Sequence, residues 1–235
     1  MDAVAAYRTE TDDLETIRTR LDVLVEQQVK SLENRQVAIK ILLTIWATSG
    51  ETYPQLHQQA LALYRKTENQ TDRLWLHYGM TMLTYDFFRQ GLVVIGQLSR
   101  FCDTLTPKDV KKRMIAELGE LGALEKATER ILFSLRDWGV LTETDQPATY
   151  APQRRAFTAS SLAIEEWLLA VAATAHSAEA MPFSDLLRLP ELFPLKFTIS
   201  VDHLRRSRWF EVHRQGMGWD MVNVVNVPVL SPAFF

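Results

Sequence analysis

The chain has 235 residues, 47% apolar and 23% charged, so it is long enough for a sizeable core or for two to three small domains. Its formal charge of −3 excludes an overall basic field of the kind that coats nucleic acid unspecifically, while leaving local patches free to bind it. Cys102 is the one cysteine, which rules out an intrachain disulfide and a cysteine-based zinc finger.

The start, Met1-Asp2-Ala3, has no charged-then-apolar leader, and a soluble cytoplasmic protein is expected. Residues 12–103 read as wholly helical. After the Asp12-Asp13 start, Leu14, Ile17, Leu21, Leu24, Val25 and Leu32 fall near one helical face. Val37 to Trp46 is almost continuously apolar and predicts a buried helix that Gly50 terminates. Pro54 opens a third helix carrying Leu56, Ala60, Leu61 and Tyr64, and Asn69 to Asp72 forms a polar break. From Leu74 to Phe101 the pattern is helical again, with Gly79, Gly91 and Gly96 as weak points or close-packing sites. Tyr85, Phe87 and Phe88 are assigned to the core.

The most informative stretch is 104–151. Thr106 stands at an N-cap, Pro107 at the first helical position and Asp109 where its carboxylate meets orphan N–H groups. Leu105 and Val110 have the spacing of a hydrophobic staple. Val110, Met114, Ile115 and Leu118 then give an apolar face, and Gly119 and Gly122 bracket a turn. A second helix is predicted from Ala123 to Trp138, with Leu124, Ala127, Thr128, Ile131, Leu132, Leu135 and Trp138 as its buried stripe. Gly139 suits the left-handed residue that ends it. Val140 to Thr142 is a short strand, 143–147 a polar tip, and Thr149 to Ala151 the returning strand.

Residues 152–160 read as a linker. Ser161 caps a helix from Leu162 to His176, whose apolar run is interrupted by Glu165 and Glu166 and is too short to span a bilayer. Pro182 to Asp185 opens a shorter helix, Leu195 to Arg206 reads as another, and Trp209 to Arg214 with Trp219 to Val225 form a hairpin around Gly216-Met217-Gly218. The fold expected is mainly α, divided into a helical N-terminal domain (1–84), a winged helix-turn-helix (85–152) and a second winged-helix-like domain (153–235).

The succession at 104–151, above all Leu135-Arg136-Asp137-Trp138-Gly139-Val140-Leu141, resembles winged helix-turn-helix DNA-binding proteins. A helical N-terminal domain feeding winged units, in a near-neutral chain of this size, is similar to the BrxA family, accessory DNA-binding proteins of bacterial BREX phage-defence systems. The resemblance implies duplex DNA and other defence proteins as partners.

Candidate contact residues follow from the helix faces. Lys126, Arg130 and Ser134 lie opposite the buried stripe and could reach base edges or phosphates; Glu125 and Glu129 beside them could equally make a solvated, salt-bridged face. Phe133 also points outward, toward another domain or a partner. Lys108, Lys111 and Lys112 form a basic stripe on the preceding helix. Arg154 and Arg155 follow the first hairpin, and Arg205, Arg206, Arg208 and Arg214 make the most basic local window. No HExxH, phosphate loop, GxSxG or paired-cysteine motif occurs, and the five histidines lack ligand spacing, so no cofactor, metal or enzymatic activity is expected. The function read from the sequence is DNA binding, as a regulator or an assembly subunit; the alternative is a winged-helix protein-interaction module.

Overall fold

The computed structural model describes residues 1–48, 52–119, 122, 124–176, 180–216, 218–225 and 227. Among these residues the fold is mainly α with two small antiparallel sheets. Before Leu105 the described residues form six α-helices: α1 (Asp2–Glu10), α2 (Leu14–Glu26), α3 (Leu32–Leu43), α4 (Pro54–Tyr64), α5 (Gln70–Thr84) and α6 (Asp86–Ser99). Local chemistry sets their starts. Asp13, Ser31 and Asn69 each accept a backbone N–H at the N-terminus of α2, α3 and α5. Asn69 is thus a cap, and Asp72 of the expected polar break lies inside α5 and is buried. The 74–101 pattern breaks at Tyr85, which is extended, and not at any glycine. The glycines are sites of close approach: a Cβ on Gly91 would meet Ile131, and one on Gly96 would collide with the Pro190 backbone.

The expected buried helix over Val37–Trp46 is corrected. Ile39, Leu43, Ile45 and Trp46 are buried, but Val37 and Ile41 are 49% and 39% exposed. Helix α3 continues into a π-helical turn, Thr44–Thr48, and packs through one face on α2, so the opposite face stays in water. The Gly50 stop lies outside the described residues.

Helix α7 (Pro107–Leu118), α8 (Leu124–Asp137), β1 (Leu141–Glu143) and β2 (Tyr150–Pro152) follow. Leu141 pairs with Pro152 and Glu143 with Tyr150. Leu105, just before α7, adds a third chain: its N–H and C=O both bond Tyr150 at 2.9 Å. The order α6, bridging strand, α7, α8, hairpin is that of a winged helix. Ala123, expected as the first residue of the second helix, lies outside the described residues.

The same order returns in α9 (Leu162–Thr174), β3 (Met181–Pro182), α10 (Phe183–Leu186), α11 (Val201–Leu204), β4 (Phe210–Gln215) and β5 (Trp219–Val224). Its sheet runs β3-β5-β4, so the strand before the second helix again pairs with the last strand. Helix α9 is buried nearly all round, packing on α4, α5 and β5. The Trp167 indole N–H donates to Leu56 O at 2.9 Å, and Gly79 of α5 leaves room for that ring.

The helix expected from Leu195 to Arg206 is reduced to a single turn, and a buried carboxylate is the reason. Glu165 of α9 is fully buried and accepts the backbone N–H groups of Thr198 (2.7 Å) and Ile199 (2.8 Å) and the Thr198 hydroxyl (2.7 Å). Lys196 N–H bonds Phe157 O at 2.8 Å, and Phe197 packs edge-on against Trp75. These donors are spent sideways, so the segment cannot close helical bonds until Ser200 caps α11. The stretch read as a linker is itself pinned: the Ser160 N–H and hydroxyl both bond Asp72.

Candidate nucleic-acid interface

Helix α7 opens on a complete capping box. Asp109 N–H donates to Thr106 Oγ1 at 3.3 Å, and Thr106 N–H donates to Asp109 Oδ2 at 3.0 Å. The hydrogen bond from the Thr106 side chain, with that from its backbone, holds the Asp109 carboxyl below its ordinary range. At the far end of α8, Gly139 has φ +72°, a conformation costly for a residue with a Cβ. It lets Gly139 N–H reach Arg136 O (2.9 Å) and Val140 N–H reach Leu135 O (2.8 Å), a Schellman closure that starts the hairpin at once.

Between these ends α8 buries Leu124, Thr128, Ile131, Leu132 and Leu135 and turns Lys126 and Arg130 into water. Ser134 is half-buried, and its hydroxyl donates back to Arg130 O at 2.9 Å. Glu125 does not neutralise this face. It crosses to α7, with Oε1 2.8 Å from Lys111 Nζ, and that hydrogen-bonded ion pair lowers its pKa. Among the described residues Lys126, Arg130, Lys108 and Lys112 have no ion-pair partner. The α7–α8 surface therefore keeps four cations without an ion pair, with Asp109 close enough to Lys108 and Lys112 to feel their charge, exposed Glu129 beside Arg130, and Lys111 spent on holding the two helices together. Phe133, 46% exposed, lies on the same helix with the Arg136 guanidinium 5.0 Å from its ring centre. Arg136 in turn pairs with Asp137 and with Glu143 of β1.

The second basic window is differently placed. Arg205 is held between Asp202 (3.0 Å) and Asp220 of β5. Arg208 donates to Gln59 of α4 at 2.6 Å and lies 4.6 Å over the Trp209 ring. Arg206 and Arg214 are exposed. The helix that should present this window, α11, has four residues, too few to lie along a groove as α8 could. Arg154 and Arg155 join neither group. They line an open cleft of about 610 Å³ with Arg100 and Arg188, which sequence reasoning missed. Both are lone arginines with no motif around them, in segments 88 residues apart, so only the fold brings them together.

One polar cluster has the residue types of a hydrolase but the wrong order. Glu166 accepts both the Ser207 hydroxyl (2.6 Å) and His203 Nε2 (2.9 Å). Nucleophile activation needs the histidine between serine and carboxylate; here the carboxylate sits between the other two. Among the described residues no three His, Cys, Asp or Glu side chains gather as metal ligands, and no helix is long and apolar enough to cross a membrane.

No protein-family model, curated protein or solved structure matches this chain.

Proposed function

We propose that this chain is a non-enzymatic binder of double-stranded DNA, acting as a regulator or as a subunit of a bacterial nucleic-acid-handling assembly, with phage defence the setting that the BrxA resemblance implies. The observation that carries the reading is the outward face of α8. Lys126 and Arg130 stand one turn apart, exposed and without an ion-pair partner among the described residues, on a 14-residue helix followed directly by a hairpin. A helix of that length entering the major groove would put Lys126 and Arg130 near base edges, while Lys108 and Lys112 on α7 would meet phosphates. The second winged unit, with one helical turn in the recognition position, contributes at most its hairpin and the exposed Arg206 and Arg214. The test is a mobility-shift titration on random duplex at several salt concentrations. Binding that weakens with salt supports the reading, and its absence at low ionic strength overturns it.

Exposed apolar side chains favour a second reading, a protein-interaction module. Phe133 on α8 and Val23, Leu32 and Val37 on α2 and α3 all face water. Chain association without salt-dependent duplex binding would select it.

A further inference from the structure

The cleft that holds Arg154 and Arg155 lies apart from the α8 surface. Helix α6 separates the two: Gly91 abuts Ile131 of α8, whereas Gly96, five residues on, abuts Pro190 at the cleft floor. Five residues turn a helix by about 140°, so the cleft opens on a different side of α6 from the helix proposed to meet DNA.

Its walls come from three segments: Gly96, Ser99 and Arg100 at the end of α6, Arg154 and Arg155 after the first hairpin, and residues 185–195 of the second winged unit. Four arginines line it with one carboxylate, Asp185, and a second carboxylate, Asp103, pairs with Arg154 and leaves the other three without an ion-pair partner among the described residues. Such a concentration of like charge is unfavourable unless an anion answers it. Two of the guanidinium groups are fixed by main-chain acceptors. Arg100 Nη2 donates to Arg188 O at 2.6 Å, and Arg154 Nη2 donates to Cys102 O at 2.6 Å and to Asp103 Oδ1 at 3.1 Å. Arg155 holds φ +48°, a strained value for a residue with a side chain, stabilised by its N–H bond to Phe193 O at 2.9 Å. Among the described residues Arg155 and Arg188 have no ion-pair partner. Apart from Ser99, whose hydroxyl donates to Gly96 O, the remaining lining is apolar, including Leu187, Leu189 and Phe193. A volume of about 610 Å³ is the size of a small-molecule site, and a concave floor suits a compact ligand better than the side of a duplex.

We propose that this cleft binds a small polyphosphate anion, of the class of pyrophosphate and nucleoside triphosphates, between the two winged units. Arginines brought to one cleft from three segments can together offer the several donors that the oxygens of a diphosphate accept, which a single surface arginine cannot. Because the walls belong to both units, a bound ligand would also fix one against the other.

Calorimetric titration of the full chain with pyrophosphate, and separately with ATP, tests this. One-to-one binding of at least one of them is expected. The variant Arg155→Asn with Arg188→Ala should weaken it at least ten-fold, since removing one arginine–phosphate hydrogen bond costs about ten-fold. Asparagine tolerates the positive φ at position 155, so the backbone is spared; an unchanged circular-dichroism melt checks that the variant is folded. Lys126→Ala with Arg130→Ala should bind as the wild type does. Three results would each overturn the proposal: neither anion binds, the cleft variant binds both unchanged, or a short duplex displaces them stoichiometrically. The last would make the arginines part of a duplex footprint. Failure of duplex binding on its own leaves this titration unaffected, so the two readings fail separately.

Discussion

Glu165 makes the strongest mechanical claim in the molecule, because one buried carboxylate decides that residues 196–199 are extended. Truncation by Glu165→Ala removes both carboxylate oxygens and the three hydrogen bonds they accept, and leaves the Ile199 N–H buried without a partner. An orphaned buried donor costs about 1–3 kcal/mol, and the missing charge-assisted bonds add to it, while relief of the carboxylate's own desolvation offsets part. The net expectation is a loss of about 2–4 kcal/mol, or a drop of about 4–16 °C in Tm for a chain of this size. Glu165→Gln is the control. Its single carbonyl oxygen can replace Oε2, which takes both N–H groups, and its amide can donate to the Thr198 hydroxyl, so the cost should stay within about 1 kcal/mol. Urea unfolding of the three proteins gives the energies, and hydrogen exchange at Thr198 and Ile199 reports the segment itself. An alanine variant within about 1 kcal/mol of wild type, or a glutamine variant as damaged as the alanine one, would mean that Glu165 does not hold residues 196–199 extended.

Leu135 is fully buried in the α6–α7–α8 core, so Leu135→Ala should cost about 2–5 kcal/mol in the same assay; a cost under about 1 kcal/mol would mean the face of α8 is wrongly assigned. Acid should destabilise the chain in two stages. Burial lowers the His77 pKa below 6.5, so the unfolded chain takes up this proton first and stability falls as pH drops below that value. Among the described residues His77 Nδ1 has no hydrogen-bond partner, which suits a neutral ring whose Nε2–H donates to Asp2. The Asp2 carboxyl is held at about 2, first by that hydrogen bond, so its stabilisation is complete above pH 3.8 and lost from there toward 2. Denaturation midpoints should therefore decline as pH falls below 6.5, less steeply in His77→Gln, with His57 contributing in the same direction through its own burial. A midpoint that rises on acidification over this range would contradict both assignments.

The parts of this fold legible in the sequence are those set by neighbours in the chain. The Thr106 cap, the Leu124–Leu135 stripe and the Gly139 stop each rest on residues within a turn or two, and each lies where the spacing puts it. The winged order of the second unit is legible from its hairpin and short helix, and the β3-β5-β4 sheet has that order. What the sequence hides depends on distant partners. Glu165 looks like an ordinary first-turn acid, yet it fixes a segment more than thirty residues away. Val37 and Ile41 look like core because periodicity records only that a face is apolar, not whether a neighbour covers it. Glu125 stands next to Lys126 in the sequence, but the cation it meets is Lys111 on another helix. Arg100 and Arg188 carry no local signal at all, and their cleft exists only once α6 has packed on the Pro190 turn.

Fluorescence anisotropy of a labelled random duplex, titrated across a salt series, decides whether the exposed face of α8 meets duplex DNA as proposed. Wild-type protein should bind at low salt with an affinity that falls linearly in log–log form, by about 0.9 in slope for each phosphate neutralised. Lys108→Ala with Lys112→Ala should flatten that slope by up to about 1.8. Lys126→Ala with Arg130→Ala should weaken binding more on a preferred site than on random duplex, by about 1–3 kcal/mol for each base no longer read. A wild-type protein with no salt-dependent binding, or an α8 variant that binds every duplex as tightly as the wild type, would contradict the account.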